Sequence, residues 1–424
     1  MITSELLRAV RLGKQDAALT ALYGAEQLDA QRDRYAAAIA EFSSLYGEHE
    51  VSVFTVAGRS EISGNHTDHN HGRVLAASID LDIIAVAARC DENTVSIKSE
   101  GFPRDVVSLS DNVPDPAKYF SSAALIAGVC EGFRRKGYAV GGFIAYTTSN
   151  VLKGSGLSSS AAFEDMVGNI LNYFYNNGTI DNAEIAKVSQ FAENTFFGKP
   201  CGLMDQVACA VGGFVSIDFA NADAPAITKM PFDLTAHGYA LCIVSTGGNH
   251  ADLNEDYASV PAEMKTVAAS FGQQTLRGLS RAQILEQLPA LRQSVGDRAI
   301  LRALHFLAEN ERVVAQSNAL QADDLNTFFR GVIASGLSSF CYLQNVYTTK
   351  NISEQGLSLA LNLAEGFLCG KGAWRVHGGG FAGTIQAYVP LQDVEAFRAL
   401  MDGAFGQGAC HVLHVRAVGA GKVF

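Results

Sequence analysis

Three short stretches concentrate groups that could do chemistry. Residues 58–72, GRSEISGNHTDHNHG, carry three histidines, one aspartate and two asparagines directly after the apolar run VSVFTVA. His66, Asp68, His69 and His71 offer imidazole and carboxylate ligands to a metal ion, and the same groups offer donors and acceptors to the vicinal hydroxyls of a small molecule. Side chains one to three positions apart on a loop rarely converge on an ion without a further ligand, and no HExxH-type helix follows. A metal site, a polar clamp and a structural polar turn all stay open on these residues alone. Residues 153–162, KGSGLSSSAA, join glycines that let backbone N–H groups close round an anion to the start of a helix, which is electropositive. A phosphate group suits such a turn, and Ser158, Ser159 and Ser160 can cap the helix or present a hydroxyl to Mg²⁺. The spacing is not the GxxxxGK[ST] of a P-loop. Residues 378–383, GGGFAG, contain GxGxxG, but the TIQAYV that follows is β-branched where a dinucleotide loop needs a helix, so they read as a glycine turn packing two elements.

Hydrophobic spacing supplies the elements that must carry these stretches. Leu28, Tyr35, Ile39, Phe42 and Tyr46 fall on one helical face. VSVFTVAGR and LDIIAVAARC read as buried strands, which puts the stretch GRSEISGNHTDHNHG on a loop between them. GGFIAYTTS reads as a further strand, and after it Phe163, Val167, Ile170, Leu171 and Phe174 mark a helix with the glycines and serines at its start. The next helix, about 181–197, opens with Asp181 and Glu184 in capping-box spacing and closes at Gly198 and Pro200. CGLMDQVACAVGGFVSIDF continues as a loop or short helix into a strand. Helical spacing returns at 300–316 and 325–348. A small, polar, proline-containing stretch near 220–235 marks a boundary between two domains, expected as 1–225 and 226–424.

The totals fit this organisation. A chain of 424 residues is longer than one hydrophobic core usually sustains. Apolar residues at 48% and charged residues at 18% are those of an ordinary globular protein. The net charge of −11 comes with no Lys/Arg-rich run, so nucleic acid is not an expected partner. The eight cysteines are scattered without a CxxC pair, which fits reduced thiols and excludes zinc ribbons and disulfide frameworks. No signal-peptide core appears and nowhere do about 18 apolar residues run uninterrupted, so a soluble cytoplasmic protein without a membrane partner is expected. The oligomeric state is not fixed by the sequence.

GRSEISGNHTDHNHG, KGSGLSSSAAFE and VHGGGFAGTIQ, in that order, resemble the three signature motifs of the GHMP small-molecule kinases. The G-R-x-x-x-x-G-x-H-T-D core of the first resembles the galactokinase branch. AENTFFGKPCGLMDQVACAVGG is similar to the stretch that holds that branch's catalytic aspartate, and RALHFLAENERV, 302–313, to one of its helices. The resemblance spans about 20–420 of the chain. It implies an α+β fold of two domains with the active site between them. It also implies ATP-dependent, Mg²⁺-requiring phosphorylation of the C1 hydroxyl of galactose to galactose 1-phosphate. Asp205 is then the base facing the sugar's anomeric hydroxyl and Arg59 the cation beside it, a pairing suited to taking a hydroxyl proton while a phosphoryl group moves. Asn65, His66, Asp68 and Tyr257 join Asp205 as sugar contacts. Lys153, Gly154, Ser155, Gly156, Leu157, Ser158, Ser159 and Ser160 form the ATP loop, and Ser160 with Glu193 holds Mg²⁺. Several positions depart from the branch. Asn65 stands where it usually has glutamate and His69 where it has tyrosine. Leu152 replaces a proline, and Val260 and Pro261 replace an arginine pair after Tyr257. These departures motivate a kinase for another sugar or amino sugar as the alternative. A catalytically weak galactose/ATP sensor is another, and the histidine cluster motivates a metal hydrolase.

Overall fold

Runs of β-branched and small apolar residues build two sheets in the computed structural model, which describes residues 1–110, 113–151, 157–199, 201–222, 224–248 and 253–424. The strands are β1 (Ser52–Ser63), β2 (Arg73–Arg89), β3 (Thr94–Ser99), β4 (Arg104–Ser108), β5 (Phe143–Ser149), β6 (Phe214–Asp218), β7 (Ala226–Met230), β8 (Tyr239–Ser245), β9 (Ala373–His377), β10 (Thr384–Pro390), β11 (Cys410–Leu413) and β12 (Gly421–Lys422). The first sheet runs β12-β1-β2-β5-β3-β4, with β6 paired to β2 and β7 to β6; the second runs β11-β8-β10-β9. Among the described strands, only the β3–β5 pairing is parallel.

Side-chain alternation along β1 decides which helices cover which face. Val53 packs with Ile84 and Val86 under the helix Leu28–Tyr46, whose Tyr35, Ile39 and Phe42 are buried as the spacing predicts. Phe54 and Val56 face the other way, into a core shared with the helices Ser122–Arg135, Ser159–Tyr175, Asn182–Ala192 and Met204–Val211. Ile62, Leu75 and Phe214 of the first sheet meet Leu241, Ile243 and Tyr388 of the second in one cluster, so the sheets share a hydrophobic seam. The expected division at 225/226 falls between β6 and β7, which pair from Phe214↔Met230 to Asp218↔Ala226. The last strand also returns to the first sheet, at Phe54↔Lys422.

A buried charge cluster pins both chain ends to this sheet. Asp82 on β2 accepts from Arg34 Nη1 at 2.6 Å, Arg416 Nη1 at 2.9 Å, Tyr23 Oη at 2.5 Å and the Thr55 hydroxyl. Burial opposes its ionisation, but the two guanidinium groups hold it below the usual carboxylate range.

Three elements differ from expectation. GRSEIS is not loop: β1 runs on to Ser63, because buried partners satisfy Arg59 and Glu61, and only 64–72 connects the strands. The Asp181–Glu184 capping box does not form, since Lys136 captures the Glu184 carboxylate at 2.6 Å and leaves Asp181 alone to cap Ala183 N. The helix expected over 325–348 is α-helical only to Ser338, and a π-helical turn, Ser339–Leu343, ends it. No described helix is long and apolar enough to cross a membrane.

Candidate active site

A register shift in β1 aims the first functional side chain. The β1–β2 ladder is regular to Ala57 and shifts before Arg59, the kind of bulge that re-aims a residue. Gly58 sits at the shift with little room for a side chain: a Cβ there would lie 3.2 Å from the carbonyl oxygens of both Leu81 and Leu157. Arg59 N donates to Leu157 O at 3.2 Å, which sews the end of the glycine-serine stretch onto β1. The Arg59 side chain, 9% exposed, donates through Nε and Nη2 to Asp205 Oδ1, each at 2.8 Å. Asp205 lies in the first turn of the helix Met204–Val211, where the helix dipole favours a carboxylate. Its other oxygen, Oδ2, accepts from Ser158 Oγ at 2.5 Å. Ser158 is therefore no helix cap; it adopts the left-handed conformation at φ 59° and turns its hydroxyl to Asp205. Burial opposes the ionisation of Asp205, but the charge of Arg59 and the hydrogen bonds from Arg59 and Ser158 hold its carboxyl below the usual range. With 31% of its side chain exposed, Asp205 is an ionised acceptor open to the cleft.

A second carboxylate faces the same helix start. Glu193, 2% exposed, begins the π-helical turn Glu193–Phe197. Its Oε1 takes Lys199 Nζ at 3.0 Å and Ser160 Oγ at 3.4 Å, and its Oε2 takes Gln206 Nε2 at 2.8 Å. Beside Ser159 and Ser160 opens a cavity of 550 Å³ walled by Phe102, Phe120, Phe163 and Phe197, with Glu100 and Asp105 at its edge. Leu157, Ser158, Ser159 and Ser160 thus lie between that aromatic cavity and Asp205, whereas Lys153, Gly154, Ser155 and Gly156, like Leu152, lie outside the described residues.

The β1–β2 connection approaches from the other side. His66 donates through Nε2 to Gly379 O at 2.9 Å, and its buried Nδ1 has no partner. Burial, aided by His69, pushes His66 down to about 4, so it is a neutral acceptor. Asp68 pairs with His69 Nδ1 at 2.9 Å and abuts Gly202, where a Cβ would come 2.4 Å from its Oδ2. A larger residue there would push the Asp68 carboxylate aside, so the loop reaches the lead-in to the Asp205 helix. Tyr257 donates to Gly380 O at 2.8 Å and packs edge-on against Phe381. Asn65, expected at the sugar, is fully buried and has no capacity left. Its amide donates to Glu61 Oε1 and Gly378 O and accepts from Asn345 and Ser339, which uses every hydrogen-bonding direction it has. His66, Asp68, His69 and His71 do not assemble as ligands: among the described residues no group of three or more His, Cys, Asp or Glu side chains is arranged to hold a metal ion.

Sequence reasoning missed the buried group behind Arg59. Glu61, two residues on and hence on the same strand face, pairs with Arg375 Nη2 at 3.1 Å, while Arg375 Nη1 donates to Ile62 O at 2.6 Å. His377 lies near Arg59, Arg375 and Asp205; burial, with the two arginines adding to it, pushes it down to about 3. The signal was an arginine and a histidine inside the apolar strand AWRVH, where burial demands partners.

Comparison with known proteins bears on the whole chain. Residues 121–213 match the family described as GHMP kinases N terminal domain, and residues 40–89 match the galactokinase galactose-binding signature. A galactokinase from Streptomyces coelicolor is 31% identical over 369 residues, covering 86% of this chain and 91% of that protein. One from Actinobacillus pleuropneumoniae is 30% identical over 364 residues, covering 85% and 91%. Among solved structures, Lactococcus lactis galactokinase complexed with galactose superposes with a TM-score of 0.74 at 24% identity, covering 90% of this chain and 98% of that one. A mevalonate kinase superposes at 0.60 with 13% identity, covering 86% and 99%. At these identities the two structures speak for the shared fold.

Proposed function

The chain belongs to the galactokinase family within the GHMP kinases, and from that premise we propose that it transfers the γ-phosphoryl group of ATP to the C1 hydroxyl of galactose. The observation that carries this reading is the Arg59–Asp205–Ser158 triangle: an ionised carboxylate, open to the cleft, one hydrogen bond from the serine stretch at which a nucleotide's phosphates would end. Asp205 accepts the hydroxyl's hydrogen bond and takes its proton as the new bond to phosphorus forms. A carboxylate held this low is a weak base, which suits a loose phosphoryl-transfer transition state in which the proton leaves late. Arg59 steadies the charge on the moving group. His66 and Asp68 meet the sugar's other hydroxyls, with Tyr257 behind the glycine turn. Ser158, Ser159, Ser160 and the amides before them receive the phosphates, and the aromatic cavity receives the base.

A hydroxyl and a buried carboxylate fit a hard cation that keeps its waters and phosphate oxygens, so Ser160 and Glu193 would hold Mg²⁺. Bound there, Mg²⁺ supplies neutralising charge to the nucleotide's phosphates. The glutamate-to-asparagine departure at 65 gives no support to a different sugar, because that amide is spent inside the protein. We also place the domain division between the two sheets, in the segment 231–238 that follows β7, and the enzyme in the cytoplasm, in keeping with eight free cysteines. ADP release with Mg²⁺-ATP over a panel of hexoses tests the reading: galactose should give the highest kcat/KM, and a protein that releases no ADP with any hexose would refute it.

A further inference from the structure

One face of the helix Asp297–Gln321 closes on the connection between β1 and β2. That connection is conformationally costly, since the non-glycine residues His66 and His71 have φ of 56° and 58°. Non-glycine residues hold such angles only where their surroundings fix them. The helix does so at both ends. Glu309, fully buried, accepts through Oε1 from Ser63 Oγ at 3.0 Å and from Gly64 N at 2.9 Å. One turn earlier, His305 bonds Asn65 O through Nε2 at 3.0 Å and Ser338 Oγ through Nδ1 at 2.9 Å. A carbonyl only accepts, so Nε2 carries the proton and Nδ1 accepts from the serine. At the far end, Asn310 Oδ1 accepts from Arg73 N at 2.7 Å. Phe306 lies against Gly72, where a Cβ would come 2.9 Å from its ring. Glu309 is itself fixed by Ser335 Oγ at 2.5 Å and Arg312 Nε at 2.6 Å.

We propose that Glu309 and His305 are positioning residues for the sugar: by fixing the backbone of Ser63–Asn65 they set where His66 and Asp68 point. The hydrogen bonds they make go to loop backbone and neighbouring side chains, so they act on substrate only through the loop. The proposal rests on the reading of His66 and Asp68 as sugar contacts, and it separates loop geometry from the nucleotide side of the cleft, which this helix face does not hold.

The test is steady-state kinetics of Glu309→Ala, His305→Ala and His305→Gln, with backbone hydrogen exchange on the same proteins. Displacing a binding group by a fraction of an ångström costs up to about 10²-fold, so galactose KM should rise about tenfold or more in Glu309→Ala and His305→Ala while ATP KM stays within about twofold. Exchange over 64–70 should accelerate, with the helix Ser159–Tyr175 unchanged. His305→Gln keeps a side-chain N–H for the Asn65 carbonyl and should recover most of the loss. Galactose and ATP KM rising together, or exchange over 64–70 unchanged, would overturn the proposal. Should Glu309→Ala not fold, the His305 pair decides alone. If the wild-type protein released no ADP with galactose, the functional reading would fail, and the exchange data would still judge the positioning role.

Discussion

Replacing Asp205 by asparagine removes a charge and one acceptor with almost no change of volume. In the native site Oδ1 takes both Arg59 hydrogen bonds and Oδ2 takes Ser158, leaving the exposed edge of Oδ2 for the sugar hydroxyl. An amide can keep its oxygen on Arg59, but its NH₂ then faces two hydroxyls as a donor where an acceptor is needed. Loss of a positioned general base costs about 10²- to 10⁴-fold in kcat, or roughly 3–5 kcal/mol of barrier. Galactose KM should change only a few-fold, because His66 and Asp68 are untouched. The variant also leaves the Arg59 guanidinium, 9% exposed, without its counter-charge. Breaking a buried pair costs about 3–5 kcal/mol, and the partial exposure of Asp205 discounts this to about 1–3 kcal/mol of stability. Coupled-assay kcat, corrected for folded protein by circular dichroism, reads the first effect and urea denaturation the second. A kcat within tenfold of wild type would refute the base role. The same geometry makes a statement about pH. A carboxyl held low is ionised across pH 5 to 8, and its acceptor is lost only as pH falls through that lowered value. The wild-type kcat/KM profile should therefore show no acid limb from Asp205 in that window.

Glu193→Gln keeps the size of the side chain while removing half of the metal-binding pair proposed with Ser160, so the Mg²⁺ needed for half-maximal ADP release should rise about tenfold or more; an unchanged Mg²⁺ titration would count against the assignment. His377, 2% exposed and pushed down from 6.5 to about 3, must stay neutral in the folded protein. The unfolded chain takes up that proton below 6.5, so stability is lost as pH falls from 6.5 toward 3, by about 2 kcal/mol at pH 5. His377→Asn should lose correspondingly less between pH 7.5 and 5 in urea denaturation, and equal losses in both proteins would contradict the burial of a neutral imidazole. Arg416→Met removes one of the two guanidinium groups from Asp82 and should cost about 3 kcal/mol in the same assay; a change under about 0.5 kcal/mol would show that Arg34 suffices alone.

Local elements were the legible part of this molecule. The face of Tyr35, Ile39 and Phe42, the apolar run of β1 and the helix behind Ser158 each follow from spacing that one segment contains. Motif resemblance then supplied Arg59 and Asp205, which lie 146 residues apart and which no local pattern could pair. What stayed hidden depends on tertiary partners. The Ser158 hydroxyl could have capped its helix, and only the arrival of Asp205 decides otherwise. Glu193 taken alone looks like a solvated helix residue, and it is the arrival of Ser160, Lys199 and Gln206 that encloses its carboxylate. Asn65 was expected at the sugar because of its neighbours in the motif; Glu61, Gly378, Ser339 and Asn345, brought from three separate parts of the chain, saturate it instead. The return of β12 to β1 is likewise invisible in a two-residue strand.

Identifying the phosphorylated product by phosphorus-31 and carbon-13 NMR, after turnover of Mg²⁺-ATP with galactose, bears most directly on the pairing of Asp205 with the anomeric hydroxyl across from Ser158. One product is expected, galactose 1-phosphate, with phosphorus coupled to C1. Phosphate on another hydroxyl, or ADP formed without any sugar phosphate, would contradict it.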